Sequence, residues 1–278
     1  MRFPFGSSRP AALALPLLIA CSTTTPPSEA PPVSGGPEPV TNALPPATSQ
    51  PPAAPVANAD AGAQPSFERR PRVAVPVTPE LQAVVDAKDR DPADRELDGG
   101  RHPAELLSFF GVKRGQRVAE LMAGGGYTAE LLARAVGPKG KVYGVNSPFI
   151  LQRFAEQPWS TRLKKPVMAN VIRLDRDMDD PFPAEVKNLD IVFANLVYHD
   201  FVWTKVDRNK LNAAVMRALK PGGVYAVVDH SARPADAANA TETLHRIDKE
   251  FVKQEITTAG FRLDASSDFL KNPEDTRD

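Results

Sequence analysis

Only one cysteine, Cys21, occurs in these 278 residues, which leaves no internal disulfide and no cysteine-based zinc site. Net charge is missing too. The 34 basic side chains are matched by 34 acidic ones, and a neutral chain has no global field to draw it onto nucleic acid. The leading apolar run, Ala11 to Ala20, falls well short of the ~20 residues of a membrane-spanning helix. Lysine and arginine are absent between Arg9 and Arg69, whereas 18 of the 29 prolines lie in residues 1–80. The chain therefore divides into a proline-rich front and a back of ordinary composition. Apolar residues at 42% suffice for one good core.

Arg2 and Arg9 give the apolar run a positive start, which fits a signal peptide. A lone cysteine is otherwise a small buried hydrophobe, but Cys21 ends the apolar run and opens a Ser/Thr/Pro tract. Leu18-Ile19-Ala20-Cys21 resembles the bacterial lipobox. That resemblance implies cleavage before Cys21 and lipidation of its sulfur and new amino group. Several acyl chains then anchor the protein in the cell envelope, where one alone is marginal. Ser22, in place of Asp, points to the periplasmic side of the outer membrane. If translation starts further along, the protein stays in the cytoplasm instead. Residues 22–75 carry recurring Pro-Pro and Ala-Pro pairs and few large apolar side chains. Such a tract buries too little surface to offset its ordering entropy and is expected to be a disordered tether. The expected organisation is 1–21 signal, 22–75 tether and 76–278 domain.

From Pro79 the pattern turns globular. Helices are expected from Pro79, over His102–Phe110, Tyr127–Val136, Pro148–Gln157 and Lys210–Leu219, and as one long helix over Ala238–Ala259. Strands are expected over Gln116–Met122, Lys141–Asn146, Val167–Asp175, Leu189–Leu196, Val224–Asp229 and Phe261–Phe269. Alternation of this kind predicts an α/β fold with a doubly wound, mostly parallel, Rossmann-like sheet. Ligands of such sheets lie beyond the carboxyl ends of the strands, so the residues just after each strand carry the chemistry.

Four junctions are informative. After the first, Glu120-Leu-Met-Ala-Gly124-Gly-Gly126-Tyr-Thr closes a strand with an acid, makes a glycine-rich turn and opens a helix. Glycines allow close backbone approach to a ligand, and a helix start offers free N–H groups. Gly124-x-Gly126-x-x-Ala129 also fits a dinucleotide fingerprint. The second junction ends in Asn146, where an acid usually meets ribose hydroxyls; an amide still donates and accepts. The third, Asp175–Asp180, places acids in a loop, either merely solvated or on an adenine. At the fourth, Asn195-Leu-Val-Tyr-His199-Asp200, a His beside an Asp is either a general base or a capped loop.

Glu120 four residues before Gly124 resembles the first motif of class I S-adenosylmethionine methyltransferases, Asp/Glu-x-Gly-x-Gly-x-Gly, with Met122 in place of the first glycine. Leu219-Lys-Pro-Gly-Gly-Val224 is frequent in that family, and residues about 80–270 resemble a poorly characterised bacterial branch of it. The resemblance implies S-adenosylmethionine as cofactor, contacted by Glu120, Ala123, Gly124, Gly126, Tyr127, Asn146, Asp177, Met178 and Asn195. It implies a catalytic role for His199 and Asp200 on a small-molecule acceptor, with no metal. The Asn/Asp-Pro-Pro-aromatic motif of adenine and glutamine methylation is absent. Two departures stand out: the final antiparallel strand of the family is missing, since only Lys271–Asp278 follow the sixth, and an exported protein meets little of this cytoplasmic cofactor. With Met122 and Asn146, these favour an alternative reading, a tethered non-catalytic module that keeps the fold. A dehydrogenase is a third.

Overall fold

The computed structural model describes residues 1–4, 75–234 and 236–277. Cys21 and nearly all of the expected tether lie outside the described residues. The described ones belong to one unit, made of Met1–Arg9 and Pro71–Asp278.

Six strands form the sheet: β1 (Arg2–Pro4), β2 (Arg117–Leu121), β3 (Lys141–Asn146), β4 (Val171–Asp175), β5 (Leu189–Asn195) and β6 (Leu219–Val228). Their order is β1-β6-β5-β2-β3-β4, and every pairing except β1–β6 is parallel. Order reverses between β2 and β5, which makes their carboxyl ends the switch point where a doubly wound sheet binds ligands. β2 and β5 read as near-continuous apolar runs because helices cover both faces of a parallel sheet.

The helices are α1 (Pro79–Val85), α2 (Pro92–Arg101), α3 (Pro103–Phe109), α4 (Tyr127–Val136), α5 (Pro148–Ile150), α6 (Glu156–Arg162), α7 (Tyr198–Trp203), α8 (Arg208–Ala218) and α9 (Lys249–Thr258). Thr78, Asp91, Ser147, Asp207 and Asp248 cap five of them with side-chain oxygens on backbone N–H groups. A π-helical stretch, Leu151–Ala155, joins α5 to α6.

Three expectations change. The helix expected over Ala238–Ala259 is only Lys249–Thr258. The chain before it is drawn into pairing, with Ile247 N–H on the His230 carbonyl and Ala232 N–H on the Ile247 carbonyl. Phe261–Phe269 forms no strand; it meets the sheet edge through an isolated bridge from Ala265 to Arg2, the Arg2–Asp264 ion pair and the Phe261 ring on Tyr225. The C-terminal residues described form no final antiparallel strand, as expected, but the sheet edge is not left bare: β1 pairs antiparallel beside β6. Phe3 faces Tyr225 there and is fully buried. Pro4 is tolerated because β1 has few ladder partners to serve.

Candidate active site

Residues 122–126 turn from β2 into α4, and three of them, Met122 (φ 51°), Gly124 (φ 55°) and Gly126 (φ 85°), are left-handed. Met122 thus adopts the conformation that a glycine would take freely, at a cost of about 1–2 kcal/mol. The two glycines differ. A β-carbon on Gly126 would come within 2.4 Å of the Trp159 ring, so protein packing alone requires it. A β-carbon on Gly124 would meet nothing within 4 Å, so the space beside it is open to a ligand. Arg162 holds the same turn from below: its Nε donates to the Gly125 carbonyl (2.6 Å), and its guanidinium pairs with Asp94 and Glu130.

Asn146 does not reach out to a ribose. It is fully buried, its Oδ1 accepts from Gly124 N–H (2.8 Å), and its Nδ2 donates to the Gly124 carbonyl (3.1 Å). An aspartate there would have no donor for that carbonyl. In this structure the carboxamide expected at the cofactor braces the glycine turn. The Asp175–Asp180 loop lies beside it through Arg176 N–H on the Asn146 carbonyl (3.0 Å); within it Asp177 is exposed and Met178 buried.

Glu120, the last but one residue of β2, is buried, at 4% exposed. Burial pushes its carboxyl up to about 8, against the Thr128 hydroxyl and the Ala129 N–H, which favour the charged form. Thr128 Oγ1 in turn accepts from Asn195 Nδ2 (3.0 Å). This chain links β2, the start of α4 and the end of β5, yet Glu120 Oε2 and Asn195 Oδ1 are buried without a partner. Buried orphan acceptors are rare enough to need a reason. A ligand with N–H or O–H donors supplies one, and a cationic amino group suits the carboxylate best. The residues present therefore fit the amino-acid end of S-adenosylmethionine.

Thr128 and Asn195, though not Glu120, line a cavity of about 400 Å³ between α2, α3, the first turn of α4 and the ends of β5 and β6. Arg101, Leu107, Tyr127, Thr128, Asn195 and Asp229 are on its wall. Tyr127 is locked, its hydroxyl donating to Asp98 (2.7 Å) and its ring 4.5 Å from the Arg101 guanidinium. Of the expected site residues only Tyr127 and Asn195 line this cavity; Glu120, Ala123, Gly124, Gly126, Asn146, Asp177, Met178, His199 and Asp200 do not.

His199 opens α7 just beyond β5. Its backbone N–H donates to Asp229 Oδ2 (2.7 Å), its Nδ1 meets Asp229 Oδ1 (2.7 Å), and its Nε2 lies 3.2 Å from Asp200 Oδ1. Burial opposes a charge on the ring, but the two carboxylates outweigh it and raise the imidazole to about 9. Both ring nitrogens thus face carboxylates, Nδ1 that of Asp229 and Nε2 that of Asp200. Sequence reasoning missed Asp229, although it stands just past β6 under the same strand-end rule. It also missed His245, whose Nδ1 is 3.8 Å from Asp200 Oδ1; a loop 45 residues downstream of the Asp carries no spacing signal.

Residues 120–227 match the family model described as a methyltransferase domain. Among solved structures, the chain resembles a SAM-dependent methyltransferase from Aquifex aeolicus at 21% identity and a TM-score of 0.51, over 66% of this chain and 90% of that one. It is also similar to an arsenic(III) S-adenosylmethionine methyltransferase from Chlamydomonas reinhardtii (20% identity, TM-score 0.48, 66% of this chain and 62% of that one). A third match is Aeropyrum pernix fibrillarin with bound S-adenosyl-L-methionine (19%, TM-score 0.42, 58% and 64%). The last two likenesses are too loose to carry an argument. The sheet order and its switch point are those of the class I, Rossmann-like methyltransferase fold, and residues 120–227 match a methyltransferase-domain model.

Proposed function

We propose that this protein is an S-adenosylmethionine-dependent methyltransferase acting on a small-molecule acceptor. The observation that carries it is the pair of orphaned oxygens, Glu120 Oε2 and Asn195 Oδ1, together with open space at Gly124, four residues past Glu120. When bound, the cofactor supplies a methyl group activated on a sulfonium centre. Glu120 would accept from its ammonium group, Thr128 and Asn195 would fix the carboxylate of Glu120 in place, and Gly124 would let the backbone pass close. A cavity of about 400 Å³ suits a small acceptor, in the range of ordinary small-ligand sites. Arg101 and Asp229 on its wall would orient polar groups. His199 and Asp200, paired just beyond β5, would serve the acceptor side of the reaction.

Three departures that favoured a non-catalytic module now have structural accounts. Met122 takes the left-handed conformation of the glycine it replaces, Asn146 braces the turn, and β1 occupies the missing strand's place. Titration calorimetry of the full chain with S-adenosylmethionine tests the reading. One site with micromolar affinity is expected, and absence of binding at about 1 mM overturns it.

Cys21 as a lipid anchor remains our proposal from the sequence. Cleavage before it would remove residues 1–20, and with them β1 and the fully buried Phe3. A processed domain would then expose the β6 edge. Incorporation of a fatty-acid probe that survives Cys21→Ser rules the anchor out.

A further inference from the structure

We propose that His199, Asp200 and His245 form a binding site for a divalent transition-metal ion of the zinc class, at the carboxyl end of the sheet. The three side chains each offer a ligand atom, and those atoms all lie within 4.8 Å of one another. Tetrahedral bonds of about 2.1 Å put neighbouring ligand atoms roughly 3.4 Å apart. His199 Nε2 and Asp200 Oδ1, at 3.2 Å, already have that spacing. His245 Nδ1, at 3.8 Å from the same oxygen, is close to it and sits on an exposed side chain that is free to turn inward.

The surroundings are those of a metal site and not only of an ion pair. A ligating histidine commonly gives its other nitrogen to a carboxylate, which fixes the tautomer and the ring's direction. Asp229 does this to His199 at Nδ1, and its second oxygen holds the His199 backbone N–H, so the carboxylate is itself fixed. The Asp200 carboxylate is steadied by the Trp203 indole N–H on Oδ1. A buried His–Asp pair would account for His199 and Asp200, but not for a second imidazole, 60% exposed, turned toward the same carboxylate oxygen. Two imidazoles and one carboxylate suit zinc, cobalt, nickel or iron(II); magnesium and calcium prefer all-oxygen sets. Three protein ligands leave at least one position open, as catalytic zinc sites do. Asp229, which orients His199, is also on the wall of the 400 Å³ cavity, so the open position and the cavity belong to one end of the sheet.

The inference does not depend on the methyltransferase reading, and its test uses neither cofactor nor acceptor. The full chain, stripped with a chelator, is titrated with zinc chloride by calorimetry and with cobalt(II) by visible absorption. One zinc per chain at micromolar affinity or tighter is expected, with a cobalt spectrum of four- or five-coordinate type. His245→Ala, at an exposed side chain, should keep the metal-free unfolding midpoint and weaken zinc at least about tenfold. Asp229→Asn should weaken it roughly ten- to a hundredfold. His230→Ala removes a neighbouring imidazole outside the ligand set and should leave zinc affinity unchanged. No stoichiometric zinc at about 100 µM, no effect of His245→Ala, or an equal loss from His230→Ala would each overturn the proposal.

Discussion

One carboxamide, that of Asn146 at the end of β3, closes both backbone polar groups of Gly124 in the turn after β2. The Gly124 N–H, which a helix-start turn would otherwise offer to a ligand, is therefore spent inside the protein. What the turn offers instead is space at Gly124.

Asn146→Asp turns this brace into two acceptors facing each other at the Gly124 carbonyl. A buried acceptor left without a donor costs about 1–3 kcal/mol. Denaturant unfolding at pH 7.5 should show a loss of that size, and acidification should recover part of it by protonating the new carboxyl. An unchanged midpoint would mean that the brace is not formed in solution.

Glu120 makes stability depend on pH. Its folded pKa, about 8, is above its ordinary value of 4.5. Its contribution is therefore fully present below about pH 4.5 and is lost as pH rises through about 8. Glu120→Gln removes this titration. The variant's thermal midpoint should exceed that of the wild type at pH 8, and the difference should shrink toward pH 4.5. The same change should weaken S-adenosylmethionine ten- to a hundredfold, as loss of a charge-assisted hydrogen bond worth ~1.5–3 kcal/mol implies. A variant that is less stable than wild type at pH 8 would contradict the burial argument.

Gly124→Ala and Gly126→Ala should separate ligand space from packing. Both force a side chain to positive φ, but only at Gly126 does the new β-carbon run into Trp159. We expect Gly126→Ala to lower the yield of folded protein sharply. Gly124→Ala should cost about 1–2 kcal/mol of stability while weakening cofactor binding by more than that. Equal effects from the two would place the ligand elsewhere.

Phe3→Ala tests β1. Truncating a fully buried Phe costs about 3–5 kcal/mol, so chemical unfolding of the full chain should shift by that much. A chain that begins at Val75 should lose at least as much, since Arg2 also pairs with Ala226 and bridges to Ala265. No shift in either would show that the β6 edge stands uncovered.

Alternating apolar strands and helices, with the Pro221-Gly222-Gly223 phrase, were enough to read the parallel sheet and to point at its carboxyl ends. β3 and α4 were legible to the residue, because each combines local periodicity with a local stop. Glu120, Gly124 and Asn195 were legible as candidates from their places at or near the carboxyl end of a strand. What lay beyond the sequence depends on partners distant along the chain. Asn146 is separated from Gly124 by 22 residues, Asp229 from His199 by 30, and β1 from β6 by more than 200. Periodicity reports only which face a residue presents to its neighbours. Whether an amide reaches a ribose or a backbone, which carboxylates an imidazole meets, and which segment covers a sheet edge are decided by long-range packing, since burial makes each polar group take whichever partner the fold brings within reach.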